Sequence, residues 1–387
     1  MSRAWQLPEH IADVLPAQAR CIEALRRRML DQASSRGFEL VIPPLLEHLE
    51  SLLSGTGREL DLKTFKLVDQ LSGRMLGVRA DTTPQAARID AHLLNRSGVT
   101  RLCYCGPVLH TRPSVLHGSR EPLQFGAEIF GHAGLEADLE VQELALDVLA
   151  DSGLADLTID LADARVLRGV LAGVPVDAVG LQDVVAALSV KDGQALAELS
   201  ARFPAPAREG LAALLRLYGG TDVLAAARTE LPARPEITAA LDELQWLATH
   251  LAAVHPELRL GFDLGDMGGY AYYSGARFAL YGGGSSDALA RGGRYDEVGA
   301  VFGRNRPAVG FSLDLKALAD AVPAQEPRCA IRAPWGEDPA LRRAVRQLRD
   351  DGHAVVWALP GHDAGTDDAV FDRELVLVDG RWAVMAR

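Results

Sequence analysis

Four short stretches carry residues whose types and spacing could do chemistry together. Asp81 and Thr83 follow Arg79 in "VRADTT", and Gln124 and Glu128 follow Arg120 in "SREPLQFGAE". "DMGGYAYYSG", Asp266 to Gly275, sets two adjacent glycines among Tyr270, Tyr272 and Tyr273. "ARGGRYD" supplies Arg291, Arg294, Tyr295 and Asp296. Gln124, Gly126 and Glu128 alternate, so on a strand they share one face. A Gln and a Glu leaving one face beside a glycine suit a small zwitterion. An ammonium needs acceptors arranged around it, and an imidazole N–H prefers a buried carboxylate and aromatic walls. One such strand alone reads more simply as a solvated polar face, and Tyr with Gly as a bulge or tight turn. Four stretches in strand-like surroundings favour a shared pocket.

The elements that must position these groups follow from periodicity. Ile22, Leu25, Met29 and Leu30 recur at helical spacing over residues 17–36, and Gly37 ends that helix. "FELVIPPLLEH" reads as a strand stopped by Pro43 and Pro44. "TFKLVDQLSGRMLGVRAD" reads as a hairpin. Pro84 suits the first turn of a helix through "PQAARIDAHLL". "VTRLCYCGPVLHT", "LQFGAEIFG", "LRLGFDLGDM", "YAYYSGARFALYGG" and "AVGFSLDL" read as strands. Residues 178–254 hold three helical patterns and few β-branched runs, which predicts a helical insertion. The order is α+β with a mainly antiparallel sheet. Residues 320–327 read as a linker, giving a core over 1–320 and a small C-terminal α/β unit over 321–387. "YGGGSSD" sits between strands and is a weak phosphate-loop signal.

The bulk properties narrow the function. The 387 residues carry 40 Lys and Arg against 52 Asp and Glu, a net charge of −12, which opposes general nucleic-acid binding. Cys21, Cys103, Cys105 and Cys329 form no CxxC pair, and the ten His show no ligand spacing. Neither a disulfide framework nor a structural metal is expected. His117 and His132 read as loop or strand-end residues, Trp246 as core of the insert, and the arginines of "LRRRML" and "LRRAVRQLR" as solvated helix faces. No apolar run of signal-peptide or membrane-span length appears, so no membrane association and a cytoplasmic location are expected.

In this order and spacing, "VRADTT", "LQFGAE", "GGYAYY" and "ARGGRYD" resemble the histidine-binding motifs of histidyl-tRNA synthetases, over about residues 8 to 318. The resemblance implies a class II aminoacyl-tRNA synthetase-like core, usually dimeric. It implies that Asp81 and Thr83, helped by Gln124, hold the α-amino group of histidine. Glu128 would face the imidazole, with Tyr272, Tyr273 and Tyr295 lining its slot.

The resemblance breaks where an adenylating enzyme must stabilise phosphate charge with arginines. His110 stands where motif 2 has a phosphate-binding Arg, and Gly268 where the "RGLDYY" pattern has its Arg. Asp314 replaces a nucleotide-pocket glycine, and Ala317 an adenine-stacking Arg. Loss of one oxyanion-type donor typically costs about a hundred- to a thousand-fold in rate. The pattern resembles ATP phosphoribosyltransferase regulatory subunits, synthetase paralogues without catalytic residues or cofactor. That implies a hetero-octamer with a short-form catalytic subunit and histidine as feedback effector. Members of that family often keep an Arg near Gly268, so Arg277 or Arg79 becomes a candidate carboxylate partner. The rival readings are a divergent active histidyl-tRNA synthetase or other amino-acid-activating ligase, and a plain interaction scaffold with a vestigial pocket.

Overall fold

The structure is a computed structural model that describes residues 6–53, 58–113, 118–323, 329–361 and 371–387. The chain forms two compact units, Met1–Pro323 and Ala324–Arg387. His117 and much of the 320–327 segment lie outside the described residues, whereas residues 320 and 321 belong to the helix Leu315–Ala321.

The first unit is built on a nine-stranded sheet. Its strands lie in the order Glu39–Leu40, Thr100–Pro107, Leu123–Phe130, Ala308–Asp314, Ala290–Arg294, Ala276–Tyr281, Thr158–Asp163, Arg259–Asp263 and Tyr218–Gly219. Neighbours are antiparallel except the first pair and the Thr158–Asp163/Arg259–Asp263 pair. Period-2 alternation divides the two faces. Phe125, Ala127, Ile129, Phe311 and Phe278 enter the large core with the helices Pro16–Ser35 and Leu135–Ala150. Helix Pro16–Ser35 buries Ile22, Leu25, Met29 and Ala33, one stripe at helical spacing, and stops before Gly37, whose φ is +81°. Gln124, Gly126 and Glu128 leave the opposite face, where Tyr104, Tyr295, Ala86 and Phe302 form a smaller cluster.

Several sequence expectations are corrected. In "FELVIPPLLEH" the strand that stops before the prolines is Glu39–Leu40, in the large sheet, and beyond them an unexpected second strand, Leu46–His48, joins a separate three-stranded sheet. The expected hairpin pairs Phe65–Val68 with Met75–Val78 in that small sheet. The helix after Pro84 is α-helical over Thr83–Arg88 and becomes a π-helix over Ile89–Leu94. Residues 178–254 hold five helices rather than three: Lys191 takes a positive φ and Asp192 caps a new helix, which splits the first pattern, and Asp222–Glu230 is a further helix that was not expected. They also contain the short strand Tyr218–Gly219. In "YAYYSGARFALYGG" only Ala276–Tyr281 is strand, so the tyrosines sit in the preceding turn. The helix Leu135–Ala150 and the strand Thr158–Asp163 were not anticipated.

The second unit has a four-stranded sheet in the order Val355–Ala358, Ala330–Pro334, Phe371–Val378 and Arg381–Ala386. The amphipathic helix Pro339–Asp350 covers one face with Leu341 and Val345 against Ile331, Ala333, Val355 and Leu375. Its final hairpin turns at Asp379 and Gly380, both at positive φ, the geometry a two-residue Asp-Gly turn favours.

Candidate functional site

The site is easiest to see as rows running across the strands on one face of the large sheet. One row is Leu102, Glu128, Gly310, Gly293 and Arg277. The next is Tyr104, Gly126, Ser312, Arg291 and Ala279. A third holds Gly106, Gln124 and Asp314. Cross-strand neighbours in one row point the same way and touch. The glycines are required here. A Cβ on Gly310 would overlap the Glu128 carboxylate, and one on Gly126 would overlap the Tyr104 ring.

Glu128 is the buried centre, 1% exposed. Its Oε1 accepts from Tyr104 Oη at 2.9 Å and Thr83 Oγ1 at 3.1 Å, and its Oε2 accepts from Tyr295 Oη. Burial outweighs these three donors and pushes its carboxyl up to about 8. The same burial, with the nearby Glu128, raises the Tyr104 and Tyr295 phenols well above their ordinary value, so both remain donors.

Beside this cage, Gln124 Nε2 donates to Asp81 Oδ1 at 2.8 Å. The amide's oxygen accepts from Thr82 N at 2.9 Å, and Thr83 N donates to Asp81 Oδ1 at 3.1 Å. Asp81 and Gln124 are thus fixed to the N-terminus of the Thr83–Arg88 helix. Tyr272 stacks on Tyr295 at 5.0 Å and meets Tyr273 edge-on at 5.4 Å. The buried Tyr272 hydroxyl has no hydrogen-bond partner. Arg168, on the helix Ala164–Val170, holds the tyrosine turn from outside. It donates to the Tyr273 carbonyl at 2.7 Å and to those of Tyr270 and Ser274 at 3.4 Å.

All seven sequence-chosen residues, Asp81, Thr83, Gln124, Glu128, Tyr272, Tyr273 and Tyr295, therefore converge. Tyr104 was overlooked. Its signal was the shared parity of Leu102, Tyr104 and Gly106 in a run otherwise read as apolar strand. The "ARGGRYD" stretch divides: Arg294 points to the other face, where its Nε lies 3.1 Å from buried Asp138, while Arg291 faces the site.

The positions where this chain departs from the synthetase motifs carry groups with other duties. His110 donates its Nε2–H to the Ala80 carbonyl at 2.8 Å, and burial lowers its proton affinity. Asp314 accepts from Leu123 N and Lys316 N, each at 3.0 Å, and so caps the helix Leu315–Ala321. Gly268 presents its carbonyl to the Arg277 guanidinium, which also pairs with Asp266. Arg79 is buried against the carbonyls of Pro43 at 2.9 Å and Pro107 at 2.8 Å. Neither Arg277 nor Arg79 is free to grip a ligand carboxylate. Among the described residues no group of His, Cys, Asp and Glu is arranged to hold a metal ion.

This sheet, with a polar face at its centre and helices behind it, is that of a class II synthetase-like protein. Residues 10–318 match the family model described as histidyl-tRNA synthetase. A histidyl-tRNA synthetase structure from Nostoc sp. PCC 7120 shares the fold, with a TM-score of 0.79 over 100% of this chain and 97% of that one, at 18% identity. A second structure, described as an ATP phosphoribosyltransferase regulatory subunit/histidyl-tRNA synthetase from Bacillus halodurans, gives 0.81 over 95% of each chain at 25% identity. Residues 327–385 match the model for the ATP phosphoribosyltransferase subunit HisZ C-terminal domain. Relatives called ATP phosphoribosyltransferase regulatory subunit are 61% identical in Albidiferax ferrireducens, covering 98% of this chain and 99% of that protein, and 62% in Variovorax paradoxus, covering 99% of each. The chain belongs to the family of ATP phosphoribosyltransferase regulatory subunits.

Proposed function

We propose that this chain is the non-catalytic, histidine-sensing subunit of an ATP phosphoribosyltransferase. It enables a short-form catalytic subunit to join ATP and phosphoribosyl pyrophosphate in the first step of histidine biosynthesis. The observation that carries this reading is the contrast within one sheet face. A caged carboxylate and a hydrogen-bonded Asp81–Gln124 pair are intact, while His110 and Asp314 bind main-chain groups and Gly268 offers only its carbonyl, to Arg277, where the synthetase motifs have nucleotide-binding residues or an arginine. In this reading Asp81, Thr83 and Gln124 hold the α-amino group, Glu128 binds the imidazole, and Tyr272, Tyr273 and Tyr295 wall its slot. The unit Met1–Pro323 is the sensing core, its end a few residues past the expected 320, and Ala324–Arg387 is a separate C-terminal domain. Histidine inhibits by binding one quaternary state more tightly, a coupling typically of about 1–3 kcal/mol.

The assembly is a cytoplasmic hetero-octamer in which this subunit also pairs with itself. The exposed side chains Leu40, Ile42, Leu45 and Leu46, with Leu67, Val68 and Leu71 of the adjoining hairpin, support self-pairing. Among the described residues no helix is long and apolar enough to cross a membrane.

Transferase assays of the catalytic subunit, with and without this chain and histidine, test the proposal. Activity that requires this chain and falls on adding histidine is expected, and Glu128→Gln should raise the inhibitory concentration at least tenfold. No activation would overturn the reading, and histidine-dependent exchange of pyrophosphate into ATP would replace it with that of a synthetase.

A further inference from the structure

Arg291 is the one charged residue of "ARGGRYD" that faces the site, and nothing described so far uses it. It is exposed on the strand Ala290–Arg294, opposite Ser312 on one side and Ala279 on the other. Both neighbours are small side chains, so neither reaches up to engage the guanidinium. Among the described residues the Arg291 side chain makes no hydrogen bond and no ion pair. Its charge is nonetheless felt inside the site: it lowers the proton affinity of Arg277, after the larger effect of burial, and acts on the Tyr273 phenol.

The rows fix where a bound amino acid would lie. Its imidazole belongs to the row of Glu128, and its ammonium to the row of Gln124 with Asp81. Its α-carbon then lies over the row between, beside the Tyr104 ring that covers Gly126 and toward Ser312, and the next residue in that row is Arg291. Arg291 and Gly126 are two strand spacings apart, about 10 Å. An extended arginine and a carboxylate together span such a gap. The other nearby cations are engaged: Arg277 with Asp266 and the Gly268 carbonyl, Arg79 with two main-chain carbonyls, Arg294 with Asp138 on the far face.

We propose that Arg291 binds the α-carboxylate of the amino-acid ligand, replacing from a neighbouring strand the cation absent at Gly268. Arg291 is then what makes the pocket demand a whole amino acid rather than an imidazole with an amine. The inference rests on the histidine-sensing reading and deepens it.

The test compares ligands with and without the carboxylate. Calorimetry on the full chain in complex with its catalytic subunit measures histidine and histamine binding to wild type, Arg291→Gln and Arg291→Lys. Wild type should prefer histidine over histamine. Arg291→Gln should lose roughly 30-fold or more in histidine affinity, the scale for truncating one partner of a charge pair, while histamine binding stays unchanged. Arg291→Lys should recover part of the loss. If Arg291→Gln leaves the preference for histidine intact, or weakens both ligands equally, the assignment of Arg291 is wrong while the pocket stands. If wild type binds neither ligand, the pocket reading itself fails and the assignment falls with it.

Discussion

At the scale of single residues, Glu128 sets the character of the site. Its carboxyl, held at about 8, takes up a proton far more readily than an ordinary carboxyl with a pKa of about 4.3. A group whose folded-state pKa is raised stabilises the fold fully at pH values below its unfolded pKa. That contribution is lost as the pH climbs through about 8, where the buried group must ionise. Glu128→Gln cannot ionise. Its melting temperature relative to wild type should therefore rise by a few degrees between pH 6 and pH 9, on the order of a few kcal/mol in stability. Parallel melting curves that never diverge would mean that Glu128 is charged in the folded protein throughout. Gln124 and Glu128 were legible in the sequence because strand periodicity alone puts them on one face. Tyr104 and Arg291 were not assigned, because their partners lie on other strands and only the register brings them together.

Among the elements, the turn that carries Tyr272 and Tyr273 depends on a helix it does not belong to. Arg168 binds three of its carbonyls and lies 5.3 Å from the Tyr270 ring centre. Arg168→Ala should speed amide hydrogen exchange over residues 270–274 and weaken histidine binding about fivefold to tenfold, with the sheet unchanged. Unaltered exchange in that turn would show that Arg168 contributes nothing to its order. The sequence pointed to a strand here because aromatic, β-favouring residues run up to Ala276. Gly269, at a φ of +70°, and its close approach to the Tyr273 ring make the turn instead. The helix Leu135–Ala150 escaped notice for a different reason. Its buried positions include the polar Asp138 and Gln142 among the leucines and valines, so polar residues interrupt the apolar stripe that would mark it.

For the whole molecule, the apolar surface over residues 40–46 and the hairpin at Leu71 is the feature that a single copy leaves unexplained. Ile42 is 82% exposed and Leu71 98%. Placing Asp at both positions should shift the chain toward monomer in sedimentation experiments, while circular dichroism stays that of the folded protein. A variant that sediments like wild type would move the self-pairing surface elsewhere. The C-terminal unit was the most readable part of the chain. Its amphipathic helix and Asp-Gly hairpin are local patterns, whereas the large sheet joins segments far apart in sequence.

Arg277 closes a route back. Its guanidinium sits on the Gly268 carbonyl and is locked to Asp266, with Arg291 standing near it. An arginine placed at position 268 would bring a third guanidinium near Arg277 and Arg291, and like charges there repel. The obstacle is electrostatic, since a Cβ on the exposed Gly268 would meet only ordinary contacts with Asp266 and Arg277. A lone Gly268→Arg change thus meets a hostile field rather than a wall, and would settle only if the positive charge beside it were reduced at the same time.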